Sequence, residues 1–170
     1  LCDRKLWRII QYLAGTKDWM QIGFVGDDPS KLELGLFTDA DFAGDRSDMK
    51  STSGVCLALY GPRTFFPLGA QSKKQSCVSH STAEAEIVAC DHGLRNEGLP
   101  AFPLWQKIFG RQPKLKFYLD NQATMTIVTT GKAPTLRYVG RTHAVSIDWQ
   151  AERSRDKHIE IHACHTDSMA

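Results

Sequence analysis

Between Leu32 and Ala70, three apolar, strand-forming runs follow one another with only turn residues between them, and this crowding constrains the fold more than any other feature. The runs lie at about 32–38, 53–60 and 64–70. Gly44-Asp45-Arg46-Ser47 and Gly61-Pro62 join them, and such connections favour consecutive antiparallel hairpins. The pattern then changes period. Ser79 to Ser81 offer helix N-caps, and 83–94 reads as a helix that Gly98, Pro100 and Pro103 interrupt before a second helical piece ending near Phe109. A fourth strand is expected at 115–119, helices at 122–130 and 143–153, and a fifth strand at 158–164, HIEIHAC. Near the N-terminus, Leu6, Ile9, Ile10 and Leu13 recur at helical spacing, Gly15 is placed to stop that helix, and Trp19 to Phe24 forms a short apolar run of strand character. The order implies an α/β protein with a mixed five-stranded sheet, its first three strands antiparallel, flanked by helices. The first and fourth strands are the natural neighbours in such a sheet.

Composition narrows the setting. A chain of 170 residues, 42% apolar and 24% charged, is long enough for one domain with a real core. A formal charge of +2 does not by itself mark a nucleic-acid binder, so local clusters matter more. The five cysteines are scattered and odd in number with no CxxC pair, which suits free thiols in a reducing, intracellular compartment. No apolar stretch is long enough to span a bilayer. LCDRKLWRII has neither an initiator Met nor a signal-peptide pattern, so the chain is read as a piece of a longer polypeptide.

The chemistry is carried by acids. Asp39 ends the run LELGLF-T, Asp120 ends LKFYL, and Glu86 lies in STAEAEIVA at the start of the expected helix. Carboxylates from two neighbouring strand ends and one helix can converge on hard divalent cations, which prefer oxygen ligands and, in pairs, can clamp both sides of a phosphodiester being cut. Solvated strand-end and helix-start acids are the ordinary alternative for any one of the three. Asp41, Asp45 and Asp48 are explained by turn chemistry.

GLFTDADFAGDRSDMKSTSG, AQSKKQSCVSHSTAEAEIVA and FYLDNQA, in that order, resemble the ribonuclease H domain of copia-type LTR retrotransposon polyproteins. KLWRIIQYLAGT resembles the tail of the preceding reverse transcriptase, which makes 1–30 that tail and 31–170 the ribonuclease H-like domain, truncated at its C-terminus. The resemblance implies a ribonuclease H-like fold and magnesium-dependent cleavage of the RNA strand of an RNA–DNA hybrid, with manganese as a substitute. It makes Asp39, Glu86 and Asp120 both the catalytic and the metal-holding residues, Asp39 bridging two ions. It further implies the reverse transcriptase and integrase regions of the same polyprotein as partners, and a location in the cytoplasm (a virus-like particle) or nucleus. The family also has a fourth acid, which the resemblance places just past the terminal HTDSMA; a catalytically impaired nucleic-acid-binding or structural remnant is therefore the alternative.

Other features have weaker meanings. Lys73, Lys74, Ser81 and Thr82 offer cations and hydroxyls just before the Glu86 helix, while Asn121 and Gln122 could reach sugar hydroxyls or base edges of a hybrid. A solvated loop and ordinary helix caps explain the same residues. Arg137 and Arg141 are further phosphate candidates. His158, His162, Cys164 and His165 look like zinc ligands, but the first three share a strand face by simple alternation, and His165 is also placed to move a proton. The four tryptophans read as core or interface aromatics. Asp39, Asp120 and Glu152 have the spacing of an integrase or transposase triad, a reading that leaves STAEAEI without a role.

Overall fold

The computed structural model describes residues 2–20 and 22–165. In sequence order the elements are α1 (Cys2–Thr16), β1 (Phe24–Val25), β2 (Glu33–Asp45), β3 (Lys50–Gly61), β4 (Thr64–Lys74), α2 (Thr82–Gly93), α3 (Leu99–Phe109), β5 (Leu115–Leu119), α4 (Gln122–Thr130), α5 (Val139–Thr142), α6 (Ile147–Ser154) and β6 (Ile159–Ala163). The sheet order is β1-β4-β3-β2-β5-β6. β2, β3 and β4 pair antiparallel as consecutive hairpins, whereas β5 lies parallel to β2 and β6 parallel to β5. The first and fourth expected strands are thus neighbours.

The sheet has six strands rather than the expected five. Phe24 and Val25 pair with Phe65 and Thr64 at one edge. Two residues are too short to show a period in sequence; side chains secure this strand instead. Gly26 N–H donates to Thr64 Oγ1 at 3.1 Å, and Asp27 accepts from Arg63 N–H at 2.7 Å and Thr64 Oγ1 at 2.8 Å.

β2 is the spine, joining antiparallel β3 on one side to parallel β5 on the other. Leu34, Leu36 and Thr38 are buried with α2, Ile87, Leu115 and Phe117, while Phe37 stacks on Tyr118 with ring centroids 4.6 Å apart. Against this spine α2 presents Ala85, Ala89 and Gly93, spaced four residues apart on one face. Ala85 and Ala89 bury against Ala40 of β2, and a Cβ on Gly93 would sit 2.4 Å from Thr38 Cγ2. Small residues therefore let the helix axis approach the strand closely.

The expected break at Gly98 is instead a π-helical turn, Leu94–Gly98, leading directly into α3. It widens the hydrogen-bond ladder where Pro100 cannot donate. It also separates Gly93 from Gly98 by five residues instead of four, yet keeps Gly98 on the sheet side, where an added Cβ would lie 2.9 Å from Leu115 Cδ2. The helix expected over 143–153 starts later, at Ile147: Ala144 adopts a left-handed φ of 57°, and Ser146 caps α6 by accepting from Trp149 N–H. α1 extends through Gly15 to Thr16, with Leu6, Trp7, Ile9, Ile10, Tyr12 and Leu13 exposed. Trp7 and Trp19 are exposed; Trp149 carries the Arg95 guanidinium 4.3 Å above its ring.

Candidate metal centre

Three backbone decisions bring the acids together. Asp39 sits on β2 opposite Gly54 of β3, where the parallel partner β5 has already ended its pairing with β2. Asp120 follows the last residue of β5, and the chain turns at once into α4, whose N-cap is Asn121. Glu86 is carried on α2, held close to β2 by Ala85, Ala89 and Gly93. Asp39, Glu86 and Asp120 each offer an oxygen within 4.8 Å of those of the other two. Among the described residues this is the group of three or more His, Cys, Asp or Glu side chains arranged to hold a metal ion.

The three positions differ in exposure. Asp39 is exposed, Asp120 half-buried and Glu86 buried at 4% exposure. Asp39 Oδ1 accepts from Ala40 N–H at 2.8 Å, which orients the carboxylate at the strand end. Burial first, then the charges of Asp39 and Asp120, push Glu86 up from 4.5 to about 8; the Ala40 N–H partly opposes this and a hydrogen bond shared with Asp39 adds to it. Three carboxylates so close, one of them buried, repel unless a proton or cation lies between them. The donor set is all oxygen, which suits a hard divalent cation such as magnesium or manganese.

The remaining sequence candidates lie on or beside β4, α2, α4, α5, α6 and β6. Lys73 is exposed on β4, opposite Ser53, which in turn pairs with Ala40 next to Asp39. Lys74 is ion-paired with Asp48 at 2.8 Å, and Asp48 also accepts from Lys50 N–H in the turn. Ser81 caps α2 by accepting from Glu84 N–H at 3.1 Å, and Thr82 follows it, exposed. Asn121 accepts from Ala123 and Thr124 N–H at 2.9 and 3.1 Å, with exposed Gln122 after it. Glu152 is outside the cluster, exposed on α6 and ion-paired with Arg153. Arg137 and Arg141 are exposed around α5. His162 rests near the Tyr118 ring and Glu160, and Cys164 N–H donates to Leu119 O at 2.8 Å. Burial and then the Asp120 carboxylate push the Cys164 thiol up, so the end of β6 borders the site. The fourth-acid position and the terminal TDSMA lie outside the described residues.

Over 157 residues the chain is 31% identical to the retrovirus-related Pol polyprotein from transposon TNT 1-94 of Nicotiana tabacum, covering 90% of this chain and 11% of that polyprotein. Over 81 residues it is 40% identical to the Pol polyprotein from transposon RE2 of Arabidopsis thaliana, covering 48% and 5%. The chain is kin to copia-type retrotransposon Pol and has the ribonuclease H fold. That fold is shared with RNase H1 from Halobacterium salinarum (TM-score 0.55, 10% identity, 80% of this chain and 88% of that one). It is shared also with LC11-RNase H1, solved in complex with an RNA/DNA hybrid (TM-score 0.53, 14% identity, 81% and 89%). No family model matches the chain. This ribonuclease H-like domain spans about a tenth or less of the length of its curated relatives. No described helix is long and apolar enough to cross a membrane.

Proposed function

We propose that the domain hydrolyses the RNA strand of RNA–DNA hybrids, with Asp39, Glu86 and Asp120 holding divalent metal, during retrotransposon reverse transcription. The observation that carries this reading is the convergence of those three carboxylates from β2, α2 and the end of β5. Kinship with retrotransposon Pol and a fold neighbour bound to an RNA/DNA hybrid support the choice of substrate. Magnesium, or manganese in its place, supplies activation of an attacking water and stabilisation of the leaving 3′ oxygen, in the two-ion form of this chemistry. The chain's own part is to hold its acids in fixed positions and to seat the hybrid across them. Asp39 and Asp120 present oxygens from the open side, whereas Glu86 brings a buried carboxylate that must give up its proton when metal binds.

Lys73, Lys74, Ser81, Thr82, Asn121 and Gln122 are the groups we assign to the hybrid. They stand at the end of β4 and at the first turns of α2, which carries Glu86, and of α4, which follows Asp120. The lysines would contact phosphates; Asn121 and Gln122 would face the shallow groove, where 2′-hydroxyls distinguish RNA from DNA. We infer further that residues 1–30 belong to the tail of a preceding reverse transcriptase region, whose end, Phe24–Val25, docks on β4 of the domain proper at 31–170; the exposed apolar side of α1 suits such a connection.

Cleavage of a labelled hybrid in magnesium or manganese tests the assignment. Asp39→Asn should lower the rate by at least about 100-fold, because it removes a charged ligand rather than an outer partner. Equal rates for wild type and Asp39→Asn would sink it. Tight hybrid binding with no cleavage in either metal would instead identify a catalytically impaired binding module.

A further inference from the structure

Two buried carboxamides grip the helix on either side of Glu86. Gln75, 5% exposed, donates from Nε2 to the carbonyl of Ala85 at 2.9 Å and to Ser53 Oγ at 3.0 Å. Ser53 pairs with Ala40, the residue after Asp39, so this one side chain links the strand position beside Asp39 to the helix position beside Glu86. Gln150 of α6, 0% exposed, donates from Nε2 to the carbonyl of Ile87 at 3.1 Å. The carbonyls before and after Glu86 are therefore each held from outside the helix.

Gln75 is itself locked. Its backbone N–H donates to Ser51 O at 2.8 Å, and its Oε1 accepts from Ser79 Oγ at 2.9 Å. Ser79 Oγ lies 3.4 Å from His143 Nε2, and the same ring nitrogen lies 3.6 Å from Glu84 Oε1 in the first turn of α2. Glu84 Oε2 accepts from His80 N–H at 2.8 Å. Gln150 by contrast finds no partner for its Oε1 among the described residues, a desolvation cost that leucine would avoid. Packing alone does not account for an amide there; the bond to Ile87 O does.

We propose that Gln75 and Gln150 are positioning residues for Glu86, setting its turn of α2 at the height over β2 that the metal-holding arrangement needs. The inference rests on the reading of Asp39, Glu86 and Asp120 as metal ligands. Neither glutamine belongs to the ligand cluster, so their effect should fall on metal affinity and turnover rather than on hybrid affinity.

Gln75→Met and Gln150→Met keep the volume and remove the donor. Titration calorimetry with magnesium alone should find binding weakened about 10-fold in each, the lower end of the range for partners that orient ligands. Hydrogen exchange at the amides of 84–88 should quicken in the metal-free proteins. In hybrid cleavage at fixed magnesium, kcat should fall about 10-fold while KM stays within about twofold. Leu34→Val, in the core at the far end of β2, should lose stability without weakening magnesium binding. Should a methionine variant fail to fold, Ser79→Ala removes only the hydroxyl that fixes Gln75 and should weaken magnesium binding about twofold or more. Wild-type magnesium affinity in folded Gln75→Met, Gln150→Met or Ser79→Ala overturns the proposal, as does equal weakening in Leu34→Val. If wild type binds magnesium but cuts no hybrid, the proposed activity fails while the calorimetry still decides the positioning role. If wild type binds neither magnesium nor manganese, both fall.

Discussion

Glu86→Gln should make the metal-free domain more stable, and increasingly so as pH rises. Glu86 in the folded protein is pushed up from 4.5 to about 8 by burial and by Asp39 and Asp120. A folded-state value above the unfolded one means the native state binds the extra proton. Stability from that proton is fully present below pH 4.5 and is lost progressively as pH rises to about 8. The ceiling on the loss is about 5 kcal/mol at about 1.4 kcal/mol per pH unit. Exposed Asp39 opens one side of the cluster to water, and the proton is shared among coupled carboxylates. Both effects reduce the expected loss to roughly 1–3 kcal/mol.

Urea denaturation in chelator from pH 5 to pH 9, on wild type and Glu86→Gln, measures it. Below about pH 5 the two should differ little, since protonated Glu86 and glutamine are nearly equivalent. By pH 8 to 9 the variant should be ahead by roughly 1–3 kcal/mol. Saturating magnesium should then reverse the order, because ligand at about 1,000 times its Kd adds about 4.1 kcal/mol to the protein that binds it. Parallel pH profiles in chelator would refute the argument: Glu86 would then carry no shared proton, and its burial beside two acids would have no electrostatic consequence.

Three further outcomes follow from the same geometry. Gly93→Ala places a methyl group 2.4 Å from buried Thr38 Cγ2; it should cost about 1–3 kcal/mol in chemical denaturation and weaken magnesium binding, because lifting α2 moves Glu86. Asn121→Ala removes the acceptor for Ala123 and Thr124 N–H beside Asp120; a stability loss of about 0.5–2 kcal/mol is expected, and a neutral result would mean that α4 needs no cap. Deleting Asn96 from the π turn leaves four-residue spacing between Gly93 and the following glycine, so an unbroken α-helix should keep both on the sheet side. A melting temperature within roughly 4 °C of wild type is expected, and an unfolded product would show that the wider turn is required.

What was legible in the sequence was whatever had a period or a hard stop. The β2-β3-β4 hairpins follow from apolar runs separated by turn residues, and the β2–β5 pairing follows from the same strand inventory. Asp39 and Asp120 stood out because each ends an apolar run, and Glu86 because it lies in STAEAEIVA at the start of the expected helix. In the structure Glu84 is equally buried but faces His143 and the His80 N–H instead of the cluster. Two acids two residues apart on a helix point in directions about 200° apart, so periodicity alone separates their roles once one of them is placed. β1 was not legible as a strand with defined pairing, since two residues have no period and its hold on Phe65 and Thr64 of β4 is secured by Asp27, which lies outside the strand.

The glutamines were hidden for a different reason. Gln75 follows two lysines in a polar stretch, and every local cue marks it as solvated. It is buried because β4 ends there and the chain turns inward across Ser53 toward α2. Gln150 sits in a helix of low apolar content, and only the packing of α6 beside α2 brings it to Ile87 O. The alanine and glycine spacing of α2 was in plain view, but it reads as mere helix propensity until a strand is laid against it. Close approach of α2 brings a buried carboxylate to two others, and that crowding is what a divalent cation would relieve. Closeness without fixed height would leave Glu86 free to turn away from its neighbours. The small-residue face and the two carboxamides are therefore complementary: one sets how near the helix comes, the other where along the strand it stops.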